Sequence, residues 1–227
     1  AVVSTQGTSG LIDFLRSAES VLGEIIIAKA LALESRVALF HRGYIGGPLG
    51  KSRAALMSGP RKNKIELDQK DRLILREVTR MGHPNIREIS RRLNMPDSTI
   101  RARLTHLEKT GLILGYVYGV VPSRIGMHSF QLLITTRGLG MGSWEKVYAF
   151  CAAHPSIVLL SEVVGSWDLE LLVEVDSPAA LRALEHDIFQ AFEDEILTVE
   201  SLMLVEERKD TYFPVLFDGE PPAPRLI

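Results

Sequence analysis

The stretch Ile86-Arg87-Glu88-Ile89-Ser90-Arg91-Arg92-Leu93-Asn94-Met95-Pro96-Asp97-Ser98-Thr99-Ile100-Arg101-Ala102-Arg103-Leu104-Thr105-His106-Leu107 decides how this chain is read. Ile86, Ile89 and Leu93 recur at spacings of three and four, as do Ile100, Leu104 and Leu107, which predicts two short helices with one apolar face each. Between them Asn94-Met95-Pro96-Asp97 breaks the pattern, because proline cannot donate an amide and keeps its predecessor out of helical space. Asp97 or Ser98 is placed to cap the second helix, and Gly111 to end it. Two short helices across a tight turn are the helix-turn-helix plan.

Working outward, Leu67, Leu73, Ile74, Leu75 and Val78 predict a preceding helix that stops at Gly82-His83-Pro84. Leu112 to Val120 reads as a strand leading out of this module, whose bounds are set at 65–118. The net charge of −2 hides an asymmetry that fits the plan: residues 61–110 carry 13 basic and 7 acidic side chains, whereas residues 111–227 carry 7 and 17. A basic module beside an acidic one suits a polyanion partner for the first and a different partner for the second.

The first turns of a recognition helix point into the major groove, so Ser98, Thr99, Arg101, Ala102 and Thr105 are the candidate readers of base edges. Arg101 carries the most information, because a guanidinium can bond bidentately to guanine. Arg87, Arg91, Arg92, Arg103, His106 and Lys109 are placed to reach phosphates of double-stranded DNA. The competing reading is a solvated basic face, with Arg103 paired internally to Asp71.

Beyond residue 118 the pattern changes. Strands are expected at about 129–137, 156–164, 168–175 and 196–206, and helices at 143–153 and 178–192, the order βαββαβ. This is the ferredoxin-like arrangement, with both helices on one face of an antiparallel sheet. Its strands have apolar residues to spare, so pairing of two copies sheet against sheet is expected. The fold class is therefore α+β: an N-terminal helix-turn-helix domain, winged or plain, and a ferredoxin-like domain at 119–217.

Leu67-Asp68-x-x-Asp71-x-x-Ile74-Leu75-x-x-Val78, Ile86-x-Glu88-Ile89-Ser90-x-x-Leu93 and Ser98-Thr99-Ile100-x-x-Arg103-Leu104-x-x-Leu107-Glu108-x-x-Gly111-x-Ile113 together resemble the Lrp/AsnC family of prokaryotic transcriptional regulators. Val163-Val164-Gly165-Ser166-Trp167-Asp168-Leu169 is similar to that family's Gly-x-x-Asp turn, and Glu206-Glu207 also fits. Pro96 departs from the pattern, standing where many members have a capping serine. The resemblance covers about residues 65–217. It implies a sequence-specific regulator that forms a homodimer or a higher even oligomer through the βαββαβ domain and responds to an amino acid or related small metabolite. By the same analogy the effector lies near Gly165, Ser166 and Asp168, with Asp168 accepting from an amino group. The alternative for this turn is structural: a glycine for a bend and an aspartate for backbone amides.

Residues 1–64 fall outside that plan and read as a partial βαβ-like segment. Glu24 to Glu34 resembles Glu195 to Val205 at a constant offset, each after an amphipathic helix (about Ser9 to Leu22; Pro178 to Phe192), which suggests the C-terminal half of another ferredoxin-like unit. Pro221, Pro222 and Pro224 make the tail 218–227 an expected fraying end.

The remaining signals exclude more than they propose. Hydrophobic residues make up 46% and charged residues 24%, the balance of a folding chain, with no apolar run long enough to span a bilayer, so a cytoplasmic protein is expected. Cys151 is the single cysteine, expected as a buried thiol, and the six histidines lack metal-ligand spacing, so no metal or cofactor is expected. Gly46-Gly47-Pro48-Leu49-Gly50-Lys51-Ser52 is one residue short of a phosphate-binding loop. Gly138-Leu139-Gly140-Met141-Gly142 reads as a strand–helix connection rather than a dinucleotide fingerprint. A non-enzyme is expected. The alternatives kept open are a siroheme-decarboxylase-like enzyme of the same architecture, disfavoured by the acidic and apolar Ser161 to Trp167, and a sensing partner subunit without DNA affinity.

Overall fold

The computed structural model describes residues 7–23, 25–45, 55–59, 65–81, 84–117, 119–137 and 144–205. The loops 46–52 and 138–142, Glu206-Glu207 and the tail lie outside these residues. The described residues divide into two compact units: those of 1–29 and 65–110 form one, those of 30–64 and 111–208 the other.

The first unit contains α1 (Gly7–Leu22), α2 (Gln69–Met81), α3 (Ile86–Leu93) and α4 (Asp97–Lys109). The apolar stripes of α2, α3 and α4 meet at Ile74, Ile89, Ile100 and Leu107, which are almost fully buried. Truncating any of these to alanine is expected to cost about 2–5 kcal/mol. The helix starts and stops follow local chemistry. The side chain of Asn85 caps α3 by accepting from Glu88 N at 3.2 Å, and Asn94 ends it in the left-handed conformation at φ 49°, ψ 47°. The expected cap of α4 is corrected here: neither Asp97 nor Ser98 caps it. Pro96 is the cap residue, has no hydroxyl to offer, and leaves only its carbonyl to accept from Thr99 and Ile100 amides.

The second unit is one six-stranded antiparallel sheet under two helices. In chain order its elements are β1 (Ala32–Phe40), β2 (Ala55–Ser58), β3 (His128–Thr136), α5 (Trp144–Ala153), β4 (Ile157–Gly165), β5 (Leu169–Val175), α6 (Pro178–Ala191) and β6 (Ile196–Leu204). The strands lie in the order β2-β1-β4-β5-β3-β6, so β4-β5-β3-β6 is the expected ferredoxin-like sheet and β1 and β2 extend it past β4. Leu132, Leu160, Leu171, Leu184 and Ile188 fill the layer between sheet and helices. Cys151 is buried there, as its apolar surroundings predict.

Two expectations change. No strand forms over the described residues of 112–120, because no neighbouring strand pairs with them; Leu114, Tyr116 and Val117 are exposed, and Gly115 lies on the Leu56 side chain. The strand expected at 24–34 forms instead at Ala32–Phe40, and Ile25 and Ile27 stay exposed. Register explains the shift: Ala38 and Phe40 become buried in the core, and Arg36 is brought opposite Glu162. From this segment β1 and β2 join the existing sheet, while α1 belongs to the first unit.

Candidate nucleic-acid interface and sensor turn

The turn between α3 and α4 is held from inside. Ser90 donates its hydroxyl to the Met95 carbonyl at 2.6 Å, and the Met95 amide donates to the Ser90 carbonyl at 3.1 Å. With Ile89, Ile100, Leu104 and Leu107 inward, the opposite side of α4 is fixed outward. Ser98, Arg101, Ala102 and Thr105 are exposed along it at helical spacing, while Thr99 is half-buried at its edge. Arg87, Arg91, His106 and Lys109 are exposed as well. Among the described residues, Arg87, Arg91 and Arg101 have no carboxylate partner.

Two of the predicted phosphate ligands are placed differently. Arg103 donates to Asp68 and Asp71, both at 2.7 Å, and bridges α4 to the start of α2. These two carboxylates hold the guanidinium above its ordinary pKa. Asp68 is in turn held below the usual carboxylate range, first by the Asp71 amide that donates to it at 2.8 Å and then by Arg103. Arg92 spans Glu88 at 2.6 Å and Glu77 at 3.2 Å, and both raise its pKa. Glu77 is buried and also meets Arg80 at 3.3 Å. Arg92 and Arg103, placed by sequence to reach phosphates, are engaged by internal carboxylates, and for Arg103 this is the competing reading with Asp71. Asp71 was named in sequence as a partner; Asp68, Glu77 and Glu88 were not, though Asp68 and Glu88 stand in the motifs quoted above.

The sensor turn also departs from expectation. Asp168 accepts from the Thr136 amide at 2.6 Å and from its hydroxyl at 2.9 Å, tying β5 to β3. Ser166 donates its amide to the Leu31 carbonyl at 3.0 Å, and its hydroxyl lies 3.2 Å from the same oxygen. A Cβ on Gly165 would fall 2.1 Å from that carbonyl oxygen and 2.7 Å from Ala32 Cα, so only glycine fits. The three residues expected around an effector are thus engaged by the protein itself: Gly165 and Ser166 by the chain at Leu31 and Ala32 as β1 enters the sheet, and Asp168 by Thr136 of β3.

That entry is accompanied by polar contacts with no signal in the sequence. Ser35 donates to Glu162 Oε2 at 2.8 Å, and Arg36 meets the same carboxylate at 3.0 Å with its guanidinium 4.8 Å over the Trp144 ring. Arg42 grips Glu174 through two bonds of 2.8 and 2.9 Å, and Tyr44 donates to the same carboxylate. Burial and the Glu174 hydrogen bond push the Tyr44 hydroxyl well above the ordinary tyrosine range. Burial pulls the Arg42 guanidinium down, but Glu174 outweighs it. Partners 130 residues apart leave no local pattern to find.

Residues 67–113 match the family described as winged helix-turn-helix DNA-binding. An HTH-type transcriptional regulator of Pyrococcus horikoshii is 30% identical over 159 residues, covering 69% of this chain and 98% of that protein. Among solved structures, a transcriptional regulator from Neisseria meningitidis in complex with L-Met aligns with a TM-score of 0.56 at 20% identity, over 65% of this chain and 96% of that one. E. coli AsnC aligns with a TM-score of 0.54 at 18% identity, over 66% of this chain and all of AsnC.

Proposed function

The chain belongs to the Lrp/AsnC family of transcriptional regulators, and from that premise we propose that it reads specific double-stranded DNA sequences through α4. The observation that carries the reading is the outward ridge Ser98-Arg101-Ala102-Thr105, whose central guanidinium has no carboxylate partner among the described residues, flanked by Arg87 and Arg91. Arg101 and the hydroxyls read base edges, while Arg87, Arg91, His106 and Lys109 contact phosphates. Arg92 and Arg103 instead hold the helices in place. The protein acts in the cytoplasm as a homodimer or higher even oligomer assembled through its sheet domain. It is a regulator rather than an enzyme, and its effector is an amino acid or a related small metabolite; the L-Met complex of the Neisseria neighbour supports that ligand class. A siroheme-decarboxylase-like reading would need a haem-sized opening beside the Gly165 turn, where Leu31 and Ala32 sit.

Selection of bound fragments from random DNA, followed by retardation at several salt concentrations, tests the proposal. The expected outcome is enrichment of one sequence class, with log K falling by about 0.9 per log unit of salt for each phosphate neutralised. A pool that stays random through repeated rounds, with retardation insensitive to salt, would sink it.

A further inference from the structure

We propose that residues 31–44 are a strap built into the sensor sheet, occupying the Gly165–Asp168 turn so that any small effector at that turn has to displace the chain's own strand. This rests on the DNA-binding regulator reading above and adds how its sensor turn is controlled. Three independent contacts define the strap. At the turn end, the Leu31 carbonyl accepts from the Ser166 amide and Ala32 packs where a Gly165 side chain would be. Along the middle, β1 pairs with β4 from Ala32↔Gly165 to Leu39↔Leu159 and buries Ala38 and Phe40 in the core. At the far end, Arg42 and Tyr44 neutralise and cover Glu174, whose side chain is only 2% exposed. Without the strap, Glu162 and Glu174 would keep neither of their arginines, and β4 would present an open edge of unpaired amides and carbonyls.

The polar groups at the turn are those a small zwitterion would use: the backbone amide and hydroxyl of Ser166, with Gly165 permitting close approach. In this chain the Leu31 carbonyl is the acceptor for both Ser166 groups. Strap and ligand therefore exclude each other at the Ser166 amide, as two acceptors competing for one donor.

Leu33 and Val164 are cross-strand partners, 63% and 64% exposed, which suits a reversible lock. The full-length double variant Leu33→Cys, Val164→Cys would be oxidised mildly; Cys151 is fully buried and stays out of the exchange. Peptide mass spectrometry is expected to find the cross-link within one chain. Amide exchange over 157–168 is expected to slow at least tenfold on locking. The twenty L-amino acids, each at millimolar concentration, would then be added; any that slows exchange at 165–168 in the reduced protein is expected to have no effect on the locked one. Absence of the cross-link overturns the proposal, as does a cross-link only between chains, which would make a second copy the occupant, or an amino acid that protects the turn equally in both states. Loss of DNA retardation in both redox states would count against the DNA-binding reading alone, since the cross-link and exchange results decide the strap independently.

Discussion

Arg101 and Arg103 lie two positions apart on α4 and have opposite fates, because a two-residue step turns the side chain to the far side of the helix. Arg101 faces outward with no carboxylate partner among the described residues, so Arg101→Ala is expected to relax base choice at one position of a selected site, a loss of about 1–3 kcal/mol of discrimination. Arg91→Ala should weaken retardation on every sequence alike and lower the salt slope by about 1. Competition with scrambled DNA separates the two. Arg103 serves the fold through Asp68 and Asp71, and that pair is pH-dependent. The pKa of Asp68 is depressed on folding, so its contribution is present above its ordinary pKa of 3.8 and is lost as pH falls through the lower folded value. Thermal melts followed by circular dichroism should therefore show α2–α4 losing stability below about pH 4. In Asp68→Asn part of that pH dependence should disappear; an unchanged pH profile would show that the contact with Arg103 does not stabilise the folded state.

At the scale of the element, the module rests on one left-handed residue between α3 and α4. Asn94 adopts φ 49°, a conformation that a side chain branched at Cβ resists by about 1–2 kcal/mol. Asn94→Gly is expected to melt within a degree or two of the parent, and Asn94→Val several degrees lower; equal melting of the two would mean that the turn relaxes. This turn was legible in the sequence, as were α2, α3, α4 and the four strands and two helices of the ferredoxin-like sheet, because each is set by apolar spacing over a few residues and by proline, asparagine or glycine at the ends. Leu112 to Val120 misled because strand propensity is a preference for a pleated partner surface, and among the described residues no strand pairs with that segment. The cap of α4 failed for a simpler reason: Pro96 takes the cap position, which moves Asp97 and Ser98 inside the helix. Charge and helical position place Arg92 toward phosphates and do not say that Glu77 is buried beside it.

For the molecule as a whole, β1 was the least legible element, because what fixes it is pairing with residues 120 or more positions away. β1 could not be assigned its register until β4 was beside it, and Glu174, mid-strand in an apolar run, gave no hint that Arg42 and Tyr44 would cover it. That arrangement makes a quantitative expectation. Removing one partner of a buried ion pair leaves the other charge without compensation, at a cost of about 3 kcal/mol or more. Arg42→Ala should destabilise the sheet unit by that amount, and with a urea slope of about 1.5 kcal/mol/M its midpoint should fall by about 2 M. Both tryptophans, Trp144 and Trp167, belong to this unit, so their fluorescence follows the sheet, whereas circular dichroism also follows α2–α4. The fluorescence midpoint is expected to move and part of the helical signal to stay. Pairing Arg42→Ala with Glu174→Gln should recover much of the loss, because the uncompensated charge goes with it. If the double variant were as unstable as the single one, packing of the Arg42 stem, rather than its charge, would be what holds the strap to the sheet.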